Sequence, residues 1–160
     1  GDEDPNIFNP VKLNTTQVRS SRSPHVKWVE AFQSAGANEI ILVTKHHDGF
    51  MVFCYVRLTP RLFPSEYSNH SVISSKWRDG KGDVVREFVD SCHQLGALPS
   101  FYLSPWDRYF YNMTWRPEYN DYYKKTLDVL TSRYGPIYEL WWDGANAKEH
   151  MTHVRSRIGS

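Results

Sequence analysis

Cysteine is scarce: Cys54 and Cys92 are the only two in 160 residues, too few for a disulfide framework. Charge of one sign is also missing. Nineteen basic and eighteen acidic residues leave a formal net charge of +1, so no basic nucleic-acid footprint and no acidic tail is indicated. No apolar run approaches the roughly 20 residues that cross a bilayer, and no membrane partner is expected. The opening "GDEDPNIFNP" lacks the basic and apolar regions of a signal peptide. The expectation is a cytosolic chain, or one that begins after processing or is cut from something longer. Glycine-rich phosphate loops are absent after every apolar run, which disfavours a nucleotide-binding Rossmann domain. Internal repeats are absent too.

Aromatic residues are plentiful instead, 15 % of the chain with six Trp and ten Tyr. They suit stacking on sugars, bases or peptides, and equally well the filling of a core. Hydrophobic residues at 40 % and charged residues at 23 % are ordinary for one globular domain. Three Asn-x-Ser/Thr sequons, at Asn14, Asn69 and Asn112, lean towards a secreted glycoprotein.

Three short, non-alternating apolar segments, Glu39–His47, Pro99–Trp106 and Ile137–Asp143, read as parallel strands buried on both faces. A helical pattern precedes each. Trp28, Phe32 and Ala35 form an apolar face closed by Gly36. Val85, Phe88, Val89 and Cys92 form the second, stopping near Gly96. Tyr123, Leu127, Leu130 and Tyr134 form the third, ended by Gly135-Pro136. The order α-β, α-β, α-β is the signature of a parallel α/β fold. A (β/α)8 barrel typically needs about 250 residues. The expected fold is therefore an incomplete (β/α)8 TIM barrel of about three βα units, with residues 1–160 forming part of one catalytic domain. Two stretches, "VRSSRSPHVK" at 18–27 and "VFCYVRLTPRLF" at 52–63, read as insertions in this rhythm.

Each strand ends in a polar or aromatic cluster: "KHHDGF", "YLSPWDR", "WWDGAN". The carboxyl ends of parallel strands are where such folds build their sites. Asp143, after an apolar strand and two tryptophans, is placed to attack an anomeric carbon or hold a developing positive charge; it could also cap the next helix or bind loop amides. His46 and His47 should point to opposite sides if strand geometry persists. They could bond sugar hydroxyls, ligate a metal together with Asp48, or bond backbone carbonyls. Tyr102 could bond a substrate or orient Asp143. Trp106 could stack on a sugar face, or sit over a turn formed by Ser104-Pro105. Cys92, on a helix's apolar face, reads as a small buried residue.

"TKHHDGF", "SSKWRDGKGDVV", "YLSPWDR" and "YELWWDGAN", in this order, resemble the catalytic barrel of the family 29 glycoside hydrolases, the α-L-fucosidases, in their plant-type secreted form. "DPNIFNPVKLNTTQ" and "EYNDYYKKTLDVLTSRYG" fit the same pattern. The resemblance implies retaining hydrolysis of terminal α-L-fucose from glycans or glycoproteins, with Asp143 as the nucleophile. It implies fucose contacts from His46, His47 and Tyr102, and an aromatic border from Trp141. Trp106 and Asp107 fall in a loop that varies within the family. No metal and no cofactor is implied, and the full-length family member is expected to be extracellular. The family's acid/base carboxylate is expected beyond Ser160, and a further fucose-contacting histidine before residue 1, which marks the chain as a fragment. Two other readings stand beside this one: a non-catalytic fucose-binding remnant, and a metal-dependent hydrolase built on His46, His47 and Asp48. Fucosyl linkage, aglycone and oligomeric state are not legible.

Overall fold

A computed structural model describes residues 4–8, 24–52, 70–109 and 117–143. Three helices and three strands alternate: α1 (Pro24–Ser34), β1 (Glu39–Lys45), α2 (Val84–Leu95), β2 (Leu98–Leu103), α3 (Pro117–Arg133) and β3 (Leu140–Trp141). The strands form one parallel sheet in the order β1-β2-β3. The expected α/β alternation and parallel pairing are present, with strands shorter than the apolar runs. β1 stops at Lys45 and β3 holds two residues. Each polar cluster therefore begins on the last residues of its strand, Lys45, Tyr102 and Trp141, and runs on into the rim.

The helices form where their sequences dictate. α2 begins at Asp83, whose extended backbone and carboxylate cap the helix by accepting from the Arg86 N–H at 3.0 Å. It ends at Gly96, whose left-handed φ of 73° lets its N–H and that of Ala97 reach back to the last turn. Val85, Phe88, Val89 and Cys92 are all buried, as their spacing predicts. So are Tyr123, Leu127, Leu130 and Tyr134 around α3. α1 differs. It starts on Pro24, a residue whose fixed φ suits a first turn, so the end of the 18–27 stretch is helix rather than insertion. Its buried contact is Val29, while Phe32 is 52 % exposed. The rest of both stretches, 18–23 and 53–63, lies outside the described residues, as do Cys54 and the asparagines of all three sequons.

The core lies between the helices and one face of the sheet, where Ile40, Phe101, Leu103 and Leu140 meet α2 and α3. On the other face β1 is uncovered among the described residues, with Ile41 and Val43 38 % and 47 % exposed, whereas Ser100 and Tyr102 of β2 are buried there. The reading of strands buried on both faces therefore holds for β2 and fails for β1, because a continuous apolar run does not say which face is covered. A register irregularity between Val43 and Lys45 decides the rest. Val43 pairs with Tyr102, yet Lys45 pairs with Leu103. One added residue turns Lys45 away from the Ile41–Val43 face and into the helices, where it is 1 % exposed.

Candidate active site at the carboxyl rim of the sheet

Lys45 is the anchor on the helical side. Its ammonium donates to Asp107 Oδ2 at 3.0 Å, to the Trp106 carbonyl at 3.0 Å and to the Tyr119 hydroxyl at 3.3 Å, which uses all three of its protons. Both charged side chains of the Lys45–Asp107 pair are fully buried. Burial pushes the Lys45 amine down from its ordinary value, and the Asp107 charge opposes that shift. The Tyr119 hydroxyl in turn donates to the Pro105 carbonyl at 2.7 Å. Main-chain bonds complete the join: Ser104 N–H to the Lys45 carbonyl at 3.0 Å, and Arg108 N–H to the His47 carbonyl at 2.7 Å. The loop after β2 is thus fastened to the end of β1.

The residues predicted to act on a sugar lie on the opposite, open side. Tyr102 O–H donates to Asp143 Oδ2 at 2.9 Å. His47 Nε2 faces the same oxygen at 3.8 Å, while its Nδ1 is 2.6 Å from Ser104 Oγ. The His46 ring stacks on Tyr102 at 5.7 Å and lies 4.2 Å from the His47 ring. Both imidazoles therefore share one side. The expectation that they diverge fails because the strand has already ended at Lys45. The Trp141 ring meets Tyr102 edge-on at 5.4 Å, half exposed. Asp143, Tyr102, His46, His47 and Trp141 are thus one cluster of three rim segments. Trp106 is exposed, and its backbone N–H donates to Ser104 Oγ at 3.1 Å.

Burial pushes the Tyr102 phenol up to about 12, helped by its hydrogen bond to Asp143 and by that carboxylate's charge. It stays a donor over the whole physiological range. Asp143 is half exposed, its carboxylate supplied with a phenolic donor and bordered by aromatic rings. Asp48 turns elsewhere: its Oδ1 accepts from the Phe50 N–H at 3.2 Å within its own loop. Among the described residues no three His, Cys, Asp or Glu side chains gather to hold a metal ion. Nor is any described helix long and apolar enough to cross a membrane.

Two participants escape a reading of the sequence. Ser104 looks like part of a turn beside Pro105, although its position two residues after Tyr102 puts it on the same side of an extended segment. Lys45 looks like a rim group, although a lysine closing an apolar run calls for a buried partner.

The fold and this rim define a parallel α/β protein with a carboxylate, a phenol and two imidazoles gathered at the carboxyl ends of its strands. Residues 23–158 match the family model for α-L-fucosidases, and the chain belongs to that family of glycoside hydrolases. It is 40 % identical over 145 residues to "Alpha-L-fucosidase 1" of Arabidopsis thaliana, covering 91 % of this chain and 25 % of the relative. A glycoside hydrolase 29 family member from an unknown rumen bacterium superposes with a TM-score of 0.73 at 33 % identity, over 98 % of this chain and 28 % of its own. A solved chain from Bacteroides ovatus gives a TM-score of 0.74 at 32 % identity, over 98 % and 26 %. The chain thus spans about a quarter of the length of the relatives it matches.

Proposed function

We propose that this chain carries the nucleophile half of an α-L-fucosidase site and that the protein hydrolyses terminal α-L-fucose from oligosaccharides or glycoproteins with retention. The observation that supports this most directly is the Tyr102–Asp143 hydrogen bond of 2.9 Å, set on the open side of the sheet beside His46, His47 and Trp141. A carboxylate attacking an anomeric carbon must be ionised and aimed. The Tyr102 phenol holds one lone pair of Oδ2 and leaves Oδ1 for attack. His46 and His47 then bond the sugar hydroxyls, and Trp141 borders the ring, with Trp106 available to stack at the rim. In this reading Asp143 forms a covalent fucosyl ester as the glycosidic bond breaks. A second carboxyl, about 5–5.5 Å away in retaining enzymes, protonates the departing oxygen and later deprotonates the attacking water. None of the described residues is assigned that second role.

The uncovered face bearing Ile41 and Val43 suits the lumen of a (β/α)8 barrel, which we propose as the architecture of the complete domain. The sequons at Asn14, Asn69 and Asn112 support a glycosylated, extracellular protein. Release of aryl alcohol and fucose from an aryl α-L-fucoside tests the function, because an activated leaving group relieves part of the need for an acid. Asp143→Gly should reduce turnover to background, and the first-formed sugar should be the α-anomer. Unchanged turnover in that variant would remove Asp143 from the nucleophile role; a β-anomeric product would rule out retention. Saturable fucose binding without any turnover would instead favour the fucose-binding reading.

A further inference from the structure

The chemistry proposed above uses His47 without saying what holds its ring or where its proton lies. Ser104 is fully buried and sits 2.6 Å from His47 Nδ1, while its oxygen accepts from the Trp106 N–H at 3.1 Å. A serine hydroxyl has one proton to give and two lone pairs to receive with. The Trp106 amide occupies one lone pair, and the same hydroxyl also meets the Tyr102 phenol, so the direction of its proton is decided at the far side of the imidazole. On the far side of the ring, His47 Nε2 faces Asp143 Oδ2 at 3.8 Å. A bare nitrogen there would set a lone pair against an anionic oxygen, whereas an N–H gives attraction.

We propose that Ser104 is a positioning residue that donates its hydroxyl proton to His47 Nδ1, fixing the imidazole as the Nε2–H tautomer with that N–H directed to the nucleophile side of the site. The assignment rests on the fucosidase reading only for its consequence in catalysis. The tautomer itself stands on the geometry at Nε2, which faces Asp143 Oδ2 at 3.8 Å. His47 Nε2–H and the Tyr102 phenol then approach the same oxygen, and the two donors together hold the carboxylate in one orientation. A neutral ring with a bare Nε2 would leave Asp143 with Tyr102 as its one donor from this cluster. Ser104 can do this because it is itself fixed. Its N–H donates to the Lys45 carbonyl at 3.0 Å, and Lys45 is locked to Asp107 and to the Trp106 carbonyl. The buried ion pair behind the sheet thus holds the hydroxyl that orients the histidine in front of it.

Nitrogen-15 NMR of the imidazole rings in the full 160-residue chain reads the tautomer directly. We expect a protonated Nε2 and a bare, hydrogen-bonded Nδ1 at His47 in neutral solution. In Ser104→Ala the His47 Nδ1 resonance should move towards its free position, while the His46 resonances hold still. A wild-type spectrum with the proton on Nδ1 overturns the proposal, and that result does not depend on any variant folding. The second arm is a double-mutant cycle on aryl fucoside turnover. Ser104→Ala should lower kcat/KM about ten-fold, Ser104→Thr should restore most of it, and Ser104→Ala should cost nothing further in a His47→Ala background. Additive losses would make Ser104 merely structural and overturn the role. A chain that shows the expected tautomer yet no turnover would count against the fucosidase reading and leave the Ser104–His47 assignment standing.

Discussion

Gly49 follows Asp48 in the loop that leaves β1, and its φ of 84° lies in the left-handed region. A side chain there would be strained, and its Cβ would also fall 2.2 Å from Asp107 Oδ1 and 3.0 Å from Tyr109 Cβ. The nearest atom belongs to the carboxylate that pairs with buried Lys45, which has no room to yield. Gly49→Ala should therefore act through the ion pair as well as through its own backbone. Breaking a buried pair costs about 3–5 kcal/mol, so we expect the variant to lose at least about 3 kcal/mol in a urea melt. Asp107→Ala should lose a similar amount. On top of Asp107→Ala, Gly49→Ala should add only about 1–2 kcal/mol from its left-handed backbone, because the carboxylate it would have displaced is gone. A Gly49→Ala midpoint within experimental error of wild type would show that the loop relaxes without touching Asp107. The "DG" of this motif thus has a packing reason as well as a turn reason.

At the scale of elements, the amino end of α2 and the carboxyl end of α3 share one carboxylate. Asp83 caps α2 and also accepts from the buried Tyr134 hydroxyl at 3.0 and 3.2 Å. The Arg86 guanidinium lies over the Tyr134 ring at 5.0 Å and donates to the Arg133 carbonyl. Asp83→Ala removes a helix cap, worth about 1 kcal/mol, and orphans a buried hydroxyl, worth about as much again. We expect a loss of about 2 kcal/mol for Asp83→Ala, about 1 kcal/mol for Tyr134→Phe, and a double variant no worse than Asp83→Ala alone. Strictly additive losses in chemical denaturation would mean that the two ends are not coupled.

The same elements show what a sequence can and cannot disclose. The inner faces of α2 and α3 are legible because a 3.6-residue period places Val85, Phe88, Val89 and Cys92, or Tyr123, Leu127 and Leu130, on one side. The rim position of Tyr102 and Asp143 is legible because loops after parallel strands converge. The uncovered face of β1 is not, since Ile41 and Val43 are as apolar as their covered neighbours. The irregularity before Lys45 is not either. It adds one residue without any glycine or proline to mark it, and it sends Lys45 behind the sheet, while the end of the strand there lets His46 and His47 share its front.

For the molecule as a whole, buried phenols and a buried thiol set the response to alkaline pH. Burial pushes the Tyr119, Tyr123 and Tyr134 phenols well above the ordinary 10.0, with nearby carboxylates adding to the effect at Tyr119 and Tyr134. Tyr102 rises to about 12, and the Cys92 thiol rises from 9.0 to about 11. Each raised group keeps its proton in the folded chain over a range where the unfolded chain has lost it. Their contribution is fully present below the unfolded values and fades as pH climbs through the folded ones. Lys45 works the other way. Its folded value is depressed below the ordinary 10.5, so the unfolded chain binds more protons between the two values, and stability gains there as pH rises. Between about pH 9 and 10 the thiol and Lys45 oppose each other one against one; above about pH 10 four phenols join the thiol, and we expect the urea midpoint to fall there. Replacing Cys92 by Ala should make the curve rise, or fall less, between about pH 9 and 10. A Tyr102→Phe difference titration of tyrosinate absorbance should place the Tyr102 midpoint near about 12, and Asp143→Asn should bring it down by removing the facing charge. A urea midpoint that stays level to about pH 11 would show that these side chains reach water in the folded state, and would count against the packing of α3 on the sheet from which their burial follows.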